Sequence, residues 1–394
     1  MNNRRNFLKK SVISLSAAAL MPAATKAEVF TKKGTDIPVR TLGKTGIQIP
    51  VLSMGTGDTN NPALVKKALE SGVRLLGTSS YYGNGNNESM LGNLLKTYPR
   101  DSYMIATSAM PKGTDHQNGV YTDSTAGESF RSDIEASMKR LNVEYLDILF
   151  LPFAAKRESV FFEPLLRVME NFKKSGKARY LAIATHSYCD QAIRAAADTG
   201  IYDAVMTSYN FRMDQAKEVE DAIVYGAGKG LGIIAMKTMA GRYWDRERKD
   251  PINSASAIRW VLKNPNIHTM MSGMTTFEEL QSNLNLMDNP QFNEEDMREL
   301  KLADNGESGL FCLQCRNCEG RCEKNVDIPT LMRSYMYAYG YRNMHHSKQT
   351  LEMADGSACA ECDTCTVTCS AGFDIKNRIM DIERLRIVPE EFIS

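Results

Sequence analysis

Eight of the nine cysteines in this 394-residue chain lie in two runs that share the spacing C-x2-C-x2-C-x3-C. The first run is Cys312, Cys315, Cys318 and Cys322, and the second is Cys359, Cys362, Cys365 and Cys369. Three thiolates spaced in this way can surround one face of an iron–sulfur cube, while the fourth points away from it. The spacing therefore predicts two [4Fe-4S] clusters near the C-terminal end of the chain.

Zinc and disulfide bonds are the alternative uses for these cysteines. Zinc sites usually separate two C-x-x-C pairs by about 12 to 20 residues and need no cysteine between them, and disulfide frameworks are typical of much shorter chains. The spacing therefore favours clusters. Where two clusters share such runs, the fourth cysteine of each run ligates the other cluster. This rule groups Cys312, Cys315 and Cys318 with Cys369, and it groups Cys359, Cys362 and Cys365 with Cys322.

The cysteine region is internally repeated. A shift of 47 residues superimposes all four cysteines and places Val326-Asp327-Ile328 on Phe373-Asp374-Ile375. Residues 330–341 have helical character, so the region resembles the α-helical ferredoxins of larger redox enzymes. We expect a ferredoxin-type domain at residues 306–380 and a tail at 381–394. Four tyrosines are interpreted as a shield around the clusters, with electron relay as the alternative: Tyr335, Tyr337, Tyr339 and Tyr341.

The first 27 residues predict a targeting signal. They contain five basic residues and no acidic one, so their removal changes the formal net charge from +1 to −4. Arg4 and Arg5 lie in the motif NRRNFLK at residues 3–9, which is typical of a twin-arginine signal. An ordinary secretory signal is the alternative. We expect cleavage near Ala27 and export of the folded protein to the periplasm through the twin-arginine pathway.

Charge and hydropathy exclude other classes of partner. The nearly balanced charge argues against a nucleic-acid surface or a polybasic membrane surface. The apolar stretch of the signal is too short to span a membrane, and no span is expected in the mature chain. No cysteine lies near the cleavage site, which argues against a lipid anchor.

Between residues 51 and 287, short β-branched runs alternate with helical patterns, which is typical of βαβ units and a parallel sheet. The predicted strands are residues 51–57, 74–80, 103–110, 146–153, 178–186, 203–210, 231–239 and 268–274. In the stretches between the predicted strands, apolar residues recur at intervals of three and four residues, which predicts helices. The predicted fold is α/β, a (β/α)8 TIM barrel at residues 37–305 with its chemistry on the loops after the strands.

Six motifs, in order along the chain, resemble those of the aldo-keto reductases. They are RTLGKTG at residues 40–46, GTSSYYG at 77–83, ESMLG at 88–92, LDIL at 146–149, YN at 209–210 and SGM at 272–274. With the cysteine runs, they resemble the exported, ferredoxin-tailed branch of that family. The resemblance implies a barrel in which hydride passes from a nicotinamide to a carbonyl while a tyrosine donates a proton.

The resemblance also implies four catalytic positions, of which three hold other residues. The tyrosine is Tyr82, whereas Gly77 stands at the aspartate position, Ser108 at the lysine position and Pro152 at the histidine position. A phenol with a pKa near 10 is a poor acid at neutral pH unless a cation favours its ionised form. Because neither Gly77 nor Ser108 supplies a cation, we expect a degenerate tetrad with little activity in the family's chemistry.

The implied nicotinamide site departs from the family as well. Residues 272–283, where the family binds the 2′-phosphate of NADP, contain no Lys or Arg, and only Asn283 matches. Met206 replaces the glutamine that would bind the nicotinamide amide. A compartment outside the cytoplasm also has no evident pool of reduced nicotinamide. We therefore expect the two [4Fe-4S] clusters, rather than NAD(P), to be the redox cofactors.

Lys237 and His186 are further catalytic candidates because each lies at the end of a predicted barrel strand. Lys237 could hold an anion or assist a proton donor, with a solvated or salt-bridged lysine as the alternative. His186 could relay protons, with a hydrogen-bonded structural histidine as the alternative. Tyr82 either remains a proton donor or only lines the pocket. The remaining residues of this kind receive no role: His116, His345 and His346 in predicted loops, and Cys189 as a buried hydrophobe in a predicted helix.

Three functions remain open. The first is an exported iron–sulfur oxidoreductase whose barrel binds a small-molecule substrate and whose clusters exchange electrons with a partner. The second is an NAD(P)H-dependent aldo-keto reductase with atypical catalytic residues. The third is a non-catalytic electron-carrier or binding subunit. A flavin is normally interposed between hydride and one-electron clusters, and the sequence contains no flavin motif.

Overall fold

The eight predicted strands form a closed parallel barrel in the computed structural model, which describes residues 37–116, 118–245, 247–300, 312, 314–370 and 372–393. Each strand pairs with the next along the chain, and the last pairs with the first. In chain order they are β1 (Leu52–Gly55), β2 (Leu75–Gly77), β3 (Met104–Ser108), β4 (Leu146–Pro152), β5 (Ala178–Thr185), β6 (Ala204–Ser208), β7 (Gly232–Met236) and β8 (Thr269–Gly273). Each strand lies inside its predicted range. The predicted signal at residues 1–27 lies outside the described residues.

Helices follow the strands and surround the barrel. They are α1 (Pro62–Glu70), α2 (Asn86–Leu95), α3 (Ala126–Leu141), α4 (Arg157–Val160), α5 (Glu163–Lys174), α6 (Cys189–Thr199), α7 (Ala216–Gly228), α8 (Ser254–Leu262) and α9 (Phe277–Leu286). Local signals explain their limits: Asn61 caps α1 by accepting from the backbone N–H of Ala63, and Pro62 begins the helix. The predicted (β/α)8 fold is confirmed.

Side chains fill the barrel interior and leave one end for chemistry. Ile148 and Phe150 on β4 and Met271 on β8 are buried in the interior cluster. A hairpin of two short strands, Val39–Thr41 and Gln48–Pro50, lies at the end where the barrel strands begin. The functional end is therefore the opposite one, where the loops after the strands converge, and we call it the mouth.

The cysteine region is mainly helical, as expected. After α10 (Glu294–Glu299), the chain forms α11 (Ile328–Tyr335), a π-helical turn (Met336–Gly340), α12 (Met344–Leu351) and α13 (Ile375–Glu383). We call the described residues between 312 and 393, which include these helices and all eight cysteines of the two runs, the module. The carboxylates of Asp327 and Asp374 cap α11 and α13, accepting from backbone N–H groups at 3.2 and 3.1 Å. The 47-residue repeat thus has a structural counterpart, and α13 continues past the predicted boundary at residue 380. No helix in the described part of the chain is long and apolar enough to cross a membrane.

Candidate functional site

The eight cysteines form two groups of four in the module. The barrel-side group is Cys312, Cys315, Cys318 and Cys369, and the outer group is Cys322, Cys359, Cys362 and Cys365. Burial and the other three members of the barrel-side group raise the pKa of Cys318 to about 12. Burial and the other three members of the outer group raise the pKa of Cys359 to about 11. Each group takes three cysteines from one run and the fourth from the other, which is the grouping that cross-ligation requires.

The donor chemistry of these groups fits iron–sulfur clusters. Thiolates are the ligands that such clusters require. The barrel-side group lines a cavity with an empty volume of about 590 Å³, counting the space open to solvent. Among the described residues, no set of three or more His, Cys, Asp or Glu is arranged to hold a single metal ion. Four thiols that line one cavity are suited to a ligand that bonds to all four of them, as a [4Fe-4S] cluster does.

Arg316 attaches the loop of the barrel-side group to the barrel. Gln314 and Arg316 both have a φ of 58°, so the loop turns through left-handed backbone. The buried Arg316 guanidinium donates to both carboxylate oxygens of Glu319 and, at 3.0 Å, to Ser187 Oγ in the loop after β5. The hydroxyl of Tyr188, in the same loop, also donates to Glu319. These bonds hold the cysteine loop against the mouth.

Residues of the module cover the mouth. Lys237 Nζ, just after β7, donates to the hydroxyl of Tyr337 at 2.9 Å. The ring of His346 lies 4.1 Å from the ring of Tyr337 and 5.9 Å from the ring of Tyr82, measured between centroids. Two residues that sequence reasoning did not assign to the site thus lie directly over two that it did.

The assignment of His345 and His346 to a loop was wrong, since both lie in α12. Asn343 begins this helix, because its side chain accepts from the backbone N–H of His346 at 2.8 Å. The amide of Asn343 also donates to Asp58 in the loop after β1. One helix cap therefore both starts α12 and attaches it to the barrel.

Tyr82 lies in the mouth with its ring against Gly57. A Cβ added to Gly57 would lie 2.8 Å from this ring, so the glycine is required for the close approach. Burial raises the pKa of Tyr82 well above its usual value, and the hydrogen-bonded neighbour Tyr81 adds to the shift. Tyr81 in turn hydrogen-bonds with Ser79 and Ser108. Tyr82 is therefore a protonated phenol at neutral pH, joined to a chain of hydroxyl groups.

The other three positions implied by the family resemblance end neighbouring strands at the mouth. Gly77 ends β2, Ser108 ends β3 and Pro152 ends β4. A Cβ at Gly77 would lie 2.9 Å from the sulfur of Met271, so a methionine occupies the space that an acidic side chain would need. Ser108 Oγ lies 2.8 Å from Ser79 Oγ. None of the three side chains carries a charge that could lower the pKa of Tyr82.

Lys237 follows β7 in left-handed backbone, with a φ of 54°, which is uncommon for a residue other than glycine. Asn210 Nδ2 donates to its carbonyl oxygen at 3.1 Å and supports this turn. Burial lowers the pKa of Lys237 well below its usual value, and the guanidinium of Arg333 adds to the shift. Lys237 bonds to the module through Tyr337, and it forms no ion pair with a carboxylate in the described part of the chain.

His186 follows β5 and faces the cysteines. Its ring stacks on Phe153 with centroids 5.0 Å apart, and it lines the cavity of the barrel-side group. Burial lowers the pKa of His186 well below its usual value, and Lys237 adds to the shift. Nδ1 of His186 is buried and finds no hydrogen-bond partner among the described residues.

His116 lies in a turn, as expected, with its ring edge-on to Phe153. Cys189 is buried at the start of α6, also as expected.

Arg333 on α11 is a buried cation that sequence reasoning missed. It is 8% exposed and lines the same cavity as the barrel-side group. Its guanidinium donates to Thr330 Oγ1 at 3.3 Å and lies 5.7 Å from the ring centre of Phe153. Within the described ranges it forms no ion pair with a carboxylate. The sequence repeat could have drawn attention to Arg333, because the equivalent position 47 residues further on holds the uncharged Met380.

The residues that follow β8 are already bonded to other protein groups. Asn283 donates to Ser272 Oγ at 3.1 Å. The carboxylate of Glu279 accepts from the backbone and hydroxyl of Thr275 and pairs with Arg242 at 2.7 Å. Arg242 comes from the loop after β7, so a search for basic residues within residues 272–283 could not find it.

Comparison with known proteins identifies the family. A profile of the Aldo/keto reductase family matches residues 55–256, and a profile of a 4Fe-4S dicluster domain matches residues 311–374. The chain belongs to the aldo/keto reductase family. It is an aldo-keto reductase-like oxidoreductase with a C-terminal 4Fe-4S dicluster domain, which supports iron–sulfur clusters as its cofactors.

Its relatives are distant. L-galactose dehydrogenase of Arabidopsis thaliana is 23% identical over 296 residues, which cover 64% of this chain and 88% of the relative. NADH-specific methylglyoxal reductase of Escherichia coli (strain K12) is 25% identical over 307 residues, which cover 62% of this chain and 91% of the relative. An aldo-keto reductase from Bacillus halodurans, in its holo form, has a TM-score of 0.56 at 18% identity and covers 69% of this chain and 98% of its own. The likeness to this structure concerns the fold.

Proposed function

We propose that the protein is an exported iron–sulfur oxidoreductase in which the mouth binds a small substrate and two [4Fe-4S] clusters exchange electrons with an external partner. One observation supports this most directly: His186, at the end of a barrel strand, lines the same cavity as the barrel-side cysteine group. The outer group includes the solvent-exposed Cys365, which supports assigning the exchange with the partner to this group.

The reaction that fits is the interconversion of a carbonyl and an alcohol. Reduction of the carbonyl takes up two electrons and two protons, one proton at the oxygen and one, from water, at the carbon. Two one-electron clusters held by the cysteine groups would supply the electron pair from a reduced external carrier. The names of the relatives, a methylglyoxal reductase and an L-galactose dehydrogenase, suggest a small carbonyl compound or sugar as the substrate.

Tyr82 is the proton donor in this proposal. Because burial raises its pKa, the phenol is a weak acid and can protonate an oxygen only after negative charge has developed there. Tyr81 and the serines bonded to it can then return a proton to Tyr82.

NAD(P) does not fit the mouth well. Tyr337 and His346 lie over Lys237 and Tyr82, where a nicotinamide would have to approach the substrate. An NAD(P)H-dependent reductase with atypical catalytic residues is the second candidate, because the family and the NADH-specific relative favour it. It would require the module to move away from the mouth.

Export is proposed from residues 1–27, and a fusion of these residues to a reporter that folds before export tests it. A twin-lysine variant, Arg4→Lys with Arg5→Lys, should retain the reporter in the cytoplasm. Export of the variant reporter would favour an ordinary secretory signal.

Anaerobically purified protein tests the clusters. We expect about eight irons per chain, an electron paramagnetic resonance signal after reduction, and loss of half the iron in Cys369→Ser. Cys189→Ser is the matched control and should keep all the iron, because Cys189 belongs to neither group. A protein that resists reconstitution with iron and sulfide would contradict the proposal.

The reduced protein then distinguishes the three functions. We expect aldehydes, ketones or sugars from a panel to reoxidise the clusters, and Tyr82→Phe to slow this about 10²–10⁴-fold. Reduction of the clusters by NADH or NADPH, with tight binding by calorimetry, would favour the second candidate. Loaded protein that responds to no compound and to no nicotinamide would favour a non-catalytic electron carrier.

A further inference from the structure

Arg333, in the first half of the module, has an uncharged counterpart at the equivalent position of the second half. Arg333 and Met380 are 47 residues apart and occupy the same place in α11 and α13, six residues after the capping aspartate of each helix. The residue just before this position is apolar in both halves, Met332 in the first and Ile379 in the second. The chain thus carries a charged and a neutral version of one structural position.

Arg333 is buried without a partner of opposite charge. Its hydrogen bond goes to the neutral hydroxyl of Thr330, and the aromatic ring beside it, Phe153, is neutral as well. Leaving a guanidinium in a buried site without a counter-charge is costly, so such sites normally hold an anion. The side chain lines the cavity of the barrel-side group, where four thiolates would supply negative charge.

Cations near the outer group are of a different kind. Lys324 lies on the surface and is paired with Glu361 at 2.9 Å. Lys376 donates to the backbone carbonyls of Cys362 and Asp363. Solvent and the paired carboxylate screen such charges more strongly than they screen a buried guanidinium.

We propose that Arg333 raises the reduction potential of the cluster held by the barrel-side group and so draws electrons toward the mouth. Reduction adds one negative charge to a cluster, and a fixed buried cation stabilises the reduced form more than the oxidised form. The inference rests on the proposed function and adds a direction to it: electrons enter at the outer group and collect beside the substrate. Arg333 acts through the cluster and is a positioning residue.

A redox titration of the complete, cluster-loaded protein, followed by electron paramagnetic resonance, tests this inference. We expect Arg333→Met to lower the reduced-to-oxidised ratio of one cluster at least tenfold at a fixed ambient potential, which is about 59 mV for a one-electron couple. Arg333→Lys should keep most of the effect. Met380→Arg should raise the reduction potential of the cluster held by the outer group. The double variant, Arg333→Met with Met380→Arg, should show a lower potential at the barrel-side group and a higher one at the outer group, without a change in the net charge of the chain.

Arg342→Met is the matched control, because it also removes one arginine from the module but an exposed one that bonds to Tyr243. It should leave both potentials unchanged. Unshifted potentials in Arg333→Met with full iron content would overturn the inference and leave the proposed function intact. If Arg333→Met loses iron, Met380→Arg becomes the deciding variant. An unchanged reduction potential of the cluster held by the outer group in Met380→Arg would then overturn the inference. A wild-type protein without reducible clusters would contradict the proposed function and this inference together.

Discussion

At the scale of single residues, the contact between Gly77 and Met271 does most to determine the space in the mouth. The sulfur of Met271 lies 2.9 Å from the position of a Cβ at Gly77. At the position that the family resemblance assigns to an aspartate, the available space is therefore filled by an apolar side chain. Restoring an acid at this position requires the methionine to move.

Gly77→Asp should lower the free energy of unfolding by about 3 kcal/mol, because it places a carboxylate against apolar neighbours without a cation. Combining it with Met271→Ala should cost less than the sum of the two single changes, by more than about 1 kcal/mol, since the truncation makes room. Denaturant unfolding followed by tryptophan fluorescence measures this, because Trp244 and Trp260 both pack in the barrel core. Met138→Ala, a buried methionine on α3, is the control and should combine additively with Gly77→Asp. Additivity in both pairs would show that Met271 does not occupy the space.

The sequence predicted which barrel residues reach the mouth, because the ends of parallel strands meet at one end of a barrel. Lys237 and His186 were found in this way, whereas Tyr82 was assigned from the family resemblance. Arg333 and His346 were missed, since they reach the site from a separate module whose docking leaves no periodic pattern in the chain.

At the scale of elements, glycines set how closely neighbouring helices approach each other. Gly92 of α2 lies against the end of α3, where an added Cβ would be 2.2 Å from the carbonyl oxygen of Arg140. Backbone cannot yield as a flexible side chain can. Gly228, at the end of α7, is also helical, but a Cβ there would meet no atom within 4 Å.

We therefore expect one substitution to have opposite effects in two helices. Gly92→Ala should lower the free energy of unfolding by about 3 kcal/mol through overpacking. Gly228→Ala should raise it by about 0.5–1 kcal/mol, because alanine loses less backbone entropy in a helix. Denaturant unfolding of both variants measures the difference. Equal effects in the two variants would contradict the close approach of α2 to α3.

All eight strands could be predicted because buried parallel strands are continuous apolar runs. Their ends could not, as the seventh and fourth strands illustrate. Residues 237–239 continue the predicted pattern, yet the left-handed backbone of Lys237 turns the chain out of β7. Phe153 does the same after β4, with a φ of 57°. Backbone strain of this kind has no signature in hydrophobic periodicity.

The contact between barrel and module dominates at the scale of the whole molecule, and His346 lies within it. Burial lowers the pKa of His346 to about 3, and the charges of Lys237 and Arg333 add to the shift. Between this value and the usual pKa near 6.5, the unfolded chain binds a proton that the folded chain excludes. The free energy of unfolding therefore falls as the pH drops below 6.5, by up to about 1.4 kcal/mol per unit for this group.

His346→Phe should make the thermal midpoint less sensitive to acid between pH 7 and pH 5, because the ring contacts remain and the titrating group is gone. Scanning calorimetry of the loaded protein at several pH values measures this. His345→Gln is the matched control, since His345 lies next along α12 and faces Glu390 at 3.4 Å instead of the mouth. If both variants respond to acid as the wild type does, His346 is not held at the interface in its neutral form.

The assembly of the module determines when the mouth of the barrel becomes closed. Tyr337, Asn343 and His346 all lie between the two cysteine runs, and each cysteine group draws on both runs. The segment that closes the mouth therefore lies between cysteines that we propose as iron ligands at both of its ends. We expect a newly made chain to remain open until its metal is installed, so that closure itself marks a finished molecule and an unfinished one exposes its barrel to chaperones and proteases.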